Sequence, residues 1–407
     1  MRAGFEPPLS LDKKPYNGAT LIIPKKLGQN RMLIAALKET ALYEKRVAIT
    51  PDIVKKYKDM GHSVAIEADA GKEAQYPNSM FEKAGAEIEK DKQSLLKKAD
   101  IILSVAPLHK EDVTFLKQGA IVIGSLKPYQ NHELLKSFVK AKVTSFSLEL
   151  LPRITRAQSM DVLSSQSNLA GYKAVIDAAS EFGRALPLMM TAAGTIPAAR
   201  VLVLGAGVAG LQAIATAKRL GAIVSAFDVR AAAKEQVESL GATFIQVHIE
   251  ETGDAQGGYA KEMSEEYKKA QADRLAEVLT TQDIVITTAQ IPGKPAPILI
   301  TEAMLKTMKT GSVIIDLAVE NGGNCEGAVW GKTVHKHGVT IVGPANILSR
   351  IASDASQLYS RNSFHFVKNL FSGENGSIPW EDAIIMATAL TRNDAIVHPQ
   401  FNTSTQG

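Results

Sequence analysis

Cysteine is all but missing from the 407 residues. Cys325 stands alone, which excludes a disulfide framework and every zinc or iron–sulfur site built on several thiolates. An excess of one charge is missing too: the net charge of +4 is small and evenly spread, so nothing marks a nucleic-acid binder. Long hydrophobic runs are absent. The longest candidate, 201–217, is broken by Gly205, Gly207 and Gly210, and no segment reaches the roughly 18 apolar residues of a membrane-spanning helix. No G-x-S-x-G elbow and no H-E-x-x-H pair occurs, and 327–333 (GAVWGKT) is one residue short of a P-loop. His335 and His337 lie in a basic, surface-like stretch, and no carboxylate cluster has metal-ligand spacing, so no metal site is expected.

What is present is an ordinary globular composition, 45% hydrophobic and 22% charged, in a chain long enough for two or three domains. From Met32 onward short apolar runs alternate with amphipathic ones. Strands are expected at 33–37, 63–67, 100–105, 120–124 and 143–147. A second series follows at 201–205, 222–228, 243–247, 283–288, 312–316 and 339–343. Helical stretches lie between them. The pattern predicts an α/β protein of two Rossmann-like, doubly wound parallel-sheet domains joined by long helices, with a cleft between them. Long helical stretches at 166–190 and 353–370 bracket the second series, which therefore reads as an insertion. Residues 32–165 plus 350–407 form the first domain and 166–349 the second. Residues 1–31, with four prolines and only a three-residue apolar patch, read as a loose N-terminal extension rather than a secretory signal.

The strand run Val201–Leu204 leads into Gly205-Ala206-Gly207-Val208-Ala209-Gly210 and then a helix. This is G-x-G-x-x-G in the setting its physics requires. Gly205 permits the turn, Gly207 lets a pyrophosphate approach the backbone, and Gly210 lets helix and strand pack closely. The next strand ends in Asp228, followed by Val229 and Arg230. A carboxylate there can accept both adenosine ribose hydroxyls and repel a 2′-phosphate, which predicts NAD over NADP. Arg230 could stack on adenine or soften that discrimination. Loops at the ends of later strands should line the same crevice. One is 289–297, with Gln290 and three prolines, either a rigid connector or a wall for the nicotinamide half; another is 318–324 with its paired glycines. The polar stretch 250–259 reads as a mobile lid with Tyr259 at its tip, or as a surface loop.

Residues 152–173 are unusually polar: PRITRAQSMDVLSSQSNLAGYK. They read either as a solvated connector with N-capping serines or as a clamp facing the crevice. In the clamp Arg153 and Asp161 pair and brace the loop, while Gln158 donates to a bound carboxamide or phosphate.

Lys38-Glu39 with Arg46–Pro51, Arg153–Tyr172, Gly205–Gly210 with Asp228-Val229-Arg230, Gly257-Gly258-Tyr259 and Ile291–Pro297 together resemble the NAD(H)-binding component of proton-translocating nicotinamide nucleotide transhydrogenase. The resemblance runs from Met32 to about His398. It implies a subunit that holds NADH and passes hydride to NADP⁺, with NADP(H) bound on a partner subunit and a membrane subunit coupling transfer to proton movement. It places Arg153, Gln158 and Asp161 on the loop where the partner's nicotinamide arrives. Ser164 and Tyr172 fall on the nicotinamide side and Tyr259 on a mobile loop. It also implies a homodimer, no direct membrane insertion, and a cytoplasmic location, peripheral at the inner membrane through the partner subunits.

Alanine dehydrogenase resembles the chain in both domains and is the competing reading. There Arg46 would grip a substrate carboxylate. However, Ser104–Pro107, Lys127 and Glu320 stand where that pattern carries a lysine, a histidine and an aspartate. Amino-acid oxidation needs a base; hydride exchange between two nicotinamides moves no proton at the reacting carbons. A third reading is a non-catalytic NAD-sensing module.

Overall fold

A computed structural model describes residues 31–247, 263–291 and 293–402. In chain order the first strands are β1 (Leu33–Ala36), β2 (Ser63–Glu67), β3 (Glu87–Glu89), β4 (Ile101–Leu103), β5 (Ile121–Gly124) and β6 (Thr144–Ser147). Then come β7 (Met189–Thr191), β8 (Gly194–Ile196), β9 (Arg200–Leu204), β10 (Ile223–Phe227), β11 (Thr243–Phe244) and β12 (Ile284–Thr287). The last are β13 (Val313–Asp316), β14 (Lys332–Lys336), β15 (Val339–Gly343), β16 (Ala389–Arg392) and β17 (Ala395–Ile396).

They form two large sheets and a small hairpin. The first sheet has the order β17-β16-β6-β5-β4-β1-β2-β3, and the second β11-β10-β9-β12-β13-β15-β14. Strands β1 to β6 run parallel, as do β9 to β13 and β15; β14, β16 and β17 pair antiparallel at edges. Central strands such as β4, β5, β12 and β13 are buried at every residue. Helices cover both faces, which is why these strands read as unbroken apolar runs rather than alternating ones. In each sheet the order reverses beside its first strand, between β1 and β4 and between β9 and β12. Open α/β sheets bind ligands at such a switch point, outside the carboxyl ends of the strands.

Two long helices connect the sheets. The first connector, Val162–Glu181, is capped by Asp161, whose Oδ1 accepts from Ser164 N at 2.9 Å. It starts before residue 166 and stops short of Met190. Phe182 leaves helical geometry at its end, and 189–196 form the β7–β8 hairpin instead, turned by Gly194 at φ +122°. The second connector is Ala352–Leu370. Tyr359, Phe366, Leu370, Ile384 and Ile385 pack into the same apolar cluster as Ile34, Ile66 and Ile101 of the first sheet. No described helix is long and apolar enough to cross a membrane.

Candidate functional site

The crevice is organised at the end of β9. Gly205 takes φ +97°, and a Cβ there would lie 2.6 Å from Thr288 Oγ1. That hydroxyl donates to Gly205 O at 2.9 Å and ties the turn to the end of β12. A Cβ on Gly210 would lie 1.8 Å from Gly205 O, so only glycine fits where the helix Val208–Arg219 starts. Gly207 differs. A Cβ there would meet nothing within 4 Å, so open space lies over the N-terminus of a twelve-residue helix. Val208 is exposed and Ala209 half-buried beside it. Free backbone N–H groups and the positive end of the helix dipole suit a pyrophosphate at that point.

Asp228 follows β10 and points back at this turn. Its Oδ2 accepts from Ala206 N at 2.7 Å and from Arg230 Nη2 at 2.7 Å; its Oδ1 accepts from Arg230 N at 2.9 Å and Nε at 2.8 Å. Arg230 therefore forms a two-pronged ion pair with the carboxylate, a geometry in which planar guanidinium and carboxylate match. Val229 is half-buried between them.

Arg153, Gln158 and Tyr172 are exposed, and Asp161 and Ser164 are half-buried. Asp161 spends its carboxylate on the connector's first turn, since Ser164 Oγ also donates to Oδ2 at 2.5 Å. The capping residue is thus this aspartate rather than a serine. Gln290 is exposed and bridges two loops, donating to Leu317 O at 3.1 Å and accepting from Asn321 Nδ2 at 3.4 Å. Tyr259 lies outside the described residues.

Three further features lie beside these. Gly171, mid-helix in the first connector, lets that helix approach the dinucleotide turn: a Cβ there would lie 2.0 Å from Ala209 O. A glycine inside a helical run is the one local signal of it. Lys127, beyond β5, forms a 2.6 Å ion pair with Glu320, beyond β13, so the carboxyl ends of the two sheets face each other. Gly293 lies against the Tyr129 ring on the same boundary. Finally, Arg46 sits in a network between the connectors. Its Nε and Nη2 donate to the two Glu44 oxygens at 2.8 and 2.6 Å, and Nη1 to Gln166 Oε1 at 2.8 Å. Asn346 Nδ2 donates to Glu44 Oε2 at 2.8 Å. Burial works against the Glu44 charge, but Arg46 outweighs it and holds the carboxyl below its usual range.

Two family models match the chain in tandem. The alanine dehydrogenase/PNT N-terminal domain spans residues 35–170 and the alanine dehydrogenase/PNT C-terminal domain residues 174–399. The chain belongs to the alanine dehydrogenase/PNT family. Within it the chain is similar to the first part of the NAD(P) transhydrogenase alpha subunit of Rhodospirillum rubrum. The two are 52% identical over 377 residues, covering 90% of this chain and 98% of that one. The crystal structure of transhydrogenase from Sinorhizobium meliloti superposes with a TM-score of 0.79 at 49% identity, covering 90% and 99%. Alanine dehydrogenase 1 of Staphylococcus aureus is 30% identical over 305 residues, covering 72% and 74%. The resemblance read from the residues is borne out, and so is the fold of two Rossmann-like sheets.

Among the positions set against the dehydrogenase pattern, Arg46 is bonded to Glu44 and Gln166, and Lys127 pairs with Glu320. Cys325 is buried, and burial first, then Asp316 and Glu326, push its thiol up to about 12.

Proposed function

We propose that the chain is the NAD(H)-holding subunit of a proton-translocating transhydrogenase. It passes hydride between NADH and NADP⁺ held on a partner subunit, and a membrane subunit couples the transfer to proton movement. One observation carries the reading. A dinucleotide turn with open space over Gly207 stands in a crevice whose would-be acid–base groups, Lys127 and Glu320, are paired with each other at 2.6 Å. NADH supplies the hydride; the protein contributes position, orientation and exclusion of water rather than a general base.

In this reading the N-terminus of the helix Val208–Arg219 takes the pyrophosphate. Asp228 takes the adenosine ribose, with Val229 and Arg230 beside it. Ser164, Tyr172 and Gln290 face the nicotinamide half, and Arg153, Gln158 and Asp161 meet the arriving NADP(H). Exposed apolar groups at Ile154, Leu163, Tyr172 and Val208 flank that entrance, which suits a docking partner. A homodimer is supported by the β7–β8 hairpin, which exposes Leu188, Met189 and Met190 in succession, Met190 by 84%. The subunit would sit at the cytoplasmic face of the inner membrane through its partners.

The deciding experiment mixes the purified chain with a partner NADP(H)-binding subunit and follows hydride exchange between the two coenzymes. Exchange is expected with the partner and none without it. Reduction of NAD⁺ by alanine with the isolated chain would hand the case to the dehydrogenase branch.

Coenzyme choice has its own test. Asp228→Asn removes the charge that both repels a 2′-phosphate and neutralises Arg230. NADH affinity is expected to fall roughly tenfold or more, the worth of charge-assisted hydrogen bonds, while NADPH affinity rises toward it. Direct titration of both coenzymes checks this; an undiminished preference for NADH would remove Asp228 from the role.

A further inference from the structure

Two loops leave the carboxyl ends of β12 and β13, and one buried amide ties them together. Asn324 is fully buried. Its Oδ1 accepts from Ala289 N at 3.0 Å, and its Nδ2 donates to Ala289 O at 2.9 Å and Pro297 O at 2.8 Å. Its backbone carbonyl accepts from Leu299 N at 2.8 Å and Ile300 N at 2.9 Å. The 289–300 loop is thus gripped at both ends from a single residue. Asn324 is itself held by Asp316, also fully buried, whose Oδ2 accepts from Asn324 N at 2.8 Å and Cys325 N at 3.0 Å. The other oxygen accepts from Thr287 Oγ1 and Ala318 N, both at 2.9 Å.

Burying an amide is costly unless it is fully hydrogen-bonded, so a residue serving only to fill space here would be apolar. The side chain's acceptor and both its donors are used instead, a combination that aspartate and leucine lack. The place matters as well. β10 and β12 flank β9 on opposite sides, so Asp228 and Ala289 lie on opposite sides of the Gly205 turn. A dinucleotide with its ribose at Asp228 and its pyrophosphate at the turn carries its nicotinamide toward the loop that Asn324 holds.

Building on the function proposed above, we infer that Asn324 is a positioning residue for hydride transfer: it fixes the 289–300 loop as the wall that sets the angle of the nicotinamide ring. It does so without contributing to the grip on the adenosine half.

The test uses the full chain carrying Asn324→Ala or Asn324→Asp. Three quantities are read: NADH affinity by fluorescence titration, fluorescence anisotropy of the bound reduced ring, and single-turnover hydride exchange with the partner subunit. For N324A, affinity is expected to stay within about threefold and ring anisotropy to fall. Exchange is expected to slow about 30- to 100-fold, the scale of an ångström-level misplacement. For N324D, exchange relative to the wild type is expected to recover as pH falls, because a protonated carboxyl regains one donor. Wild-type anisotropy and exchange in N324A would overturn the inference. So would affinity falling in proportion to rate, which marks a merely structural role. If N324A does not fold, a flat pH profile in N324D overturns it. A wild-type chain that binds NADH but exchanges nothing refutes the transfer function instead, and the anisotropy comparison still decides for or against Asn324.

Discussion

Gly171→Ala is expected to loosen the protein and its hold on NADH together. In an ordinary exposed helix the substitution would stabilise by about 1 kcal/mol, since alanine is the better helix former. Here the added methyl would lie 2.0 Å from Ala209 O, 2.8 Å from Ala209 C and 3.1 Å from its Cα. All three are backbone atoms, so no rotamer change relieves the overlap. Overpacking of this kind costs roughly 1–3 kcal/mol, and at the upper end it outweighs the propensity gain. The displaced neighbour is the dinucleotide turn itself, so NADH affinity should fall by about tenfold or more, equivalent to about 1.4 kcal/mol. Thermal melting with and without NADH checks both parts. A melting point that rises, as propensity alone dictates, would show that the two helices do not meet so closely.

Glu44→Gln is expected to cost more stability than Gly171→Ala. The Glu44 side chain is 4% exposed and that of Arg46 12%. The substitution keeps shape but leaves a buried guanidinium without its counter-charge, a loss of about 3–5 kcal/mol in such pairs. The consequence is global because the network holds both connectors: Gln166 on the first accepts from Arg46 and donates to Ala355 O of the second at 3.1 Å. The pH dependence follows in sign. The folded-state pKa of Glu44 is depressed, so its contribution is fully present above the ordinary carboxylate value of about 4.3 and is lost as pH falls through the depressed value. Denaturant unfolding of the wild type should therefore weaken below about pH 4.3, and E44Q should lose much of that slope. A variant as stable as the wild type at pH 7 would mean that Arg46 finds another partner or water.

The sequence carries the two sheets and the dinucleotide turn because their signals are local. Val201–Leu204 is an unbroken apolar strand, and Gly205–Gly210 is a turn whose steric demands are written in three residues. What it hides depends on pairs far apart in the chain. Nothing near Gly171 announces Ala209, and nothing near Lys127 announces Glu320. Asn324 looks like the tail of a glycine turn, because the partners of its side chain lie 27 to 35 positions away. Edge elements are hidden as well. β16 and β17 are four and two residues long, too short for periodicity to register. The helical reading runs on to Met190 and so takes in the first two residues of the hairpin, since Met189 and Met190 are good helix formers. Within the polar 152–173 stretch, Asp161 stands out for its charge, whereas its carboxylate caps a helix.

Both sheets wind in one sequence of strands, yet they are furnished differently at the reversal. In the second, glycines leave the space above the turn empty. In the first, Glu39 reaches across from the end of β1, and its carboxylate accepts from Val105 N at 2.5 Å and Ala106 N at 3.2 Å. This acid thus ties the end of β1 to the two amides that follow β4. Of the two reversals, the first is closed by the chain's own acid and the second stays open above Gly207.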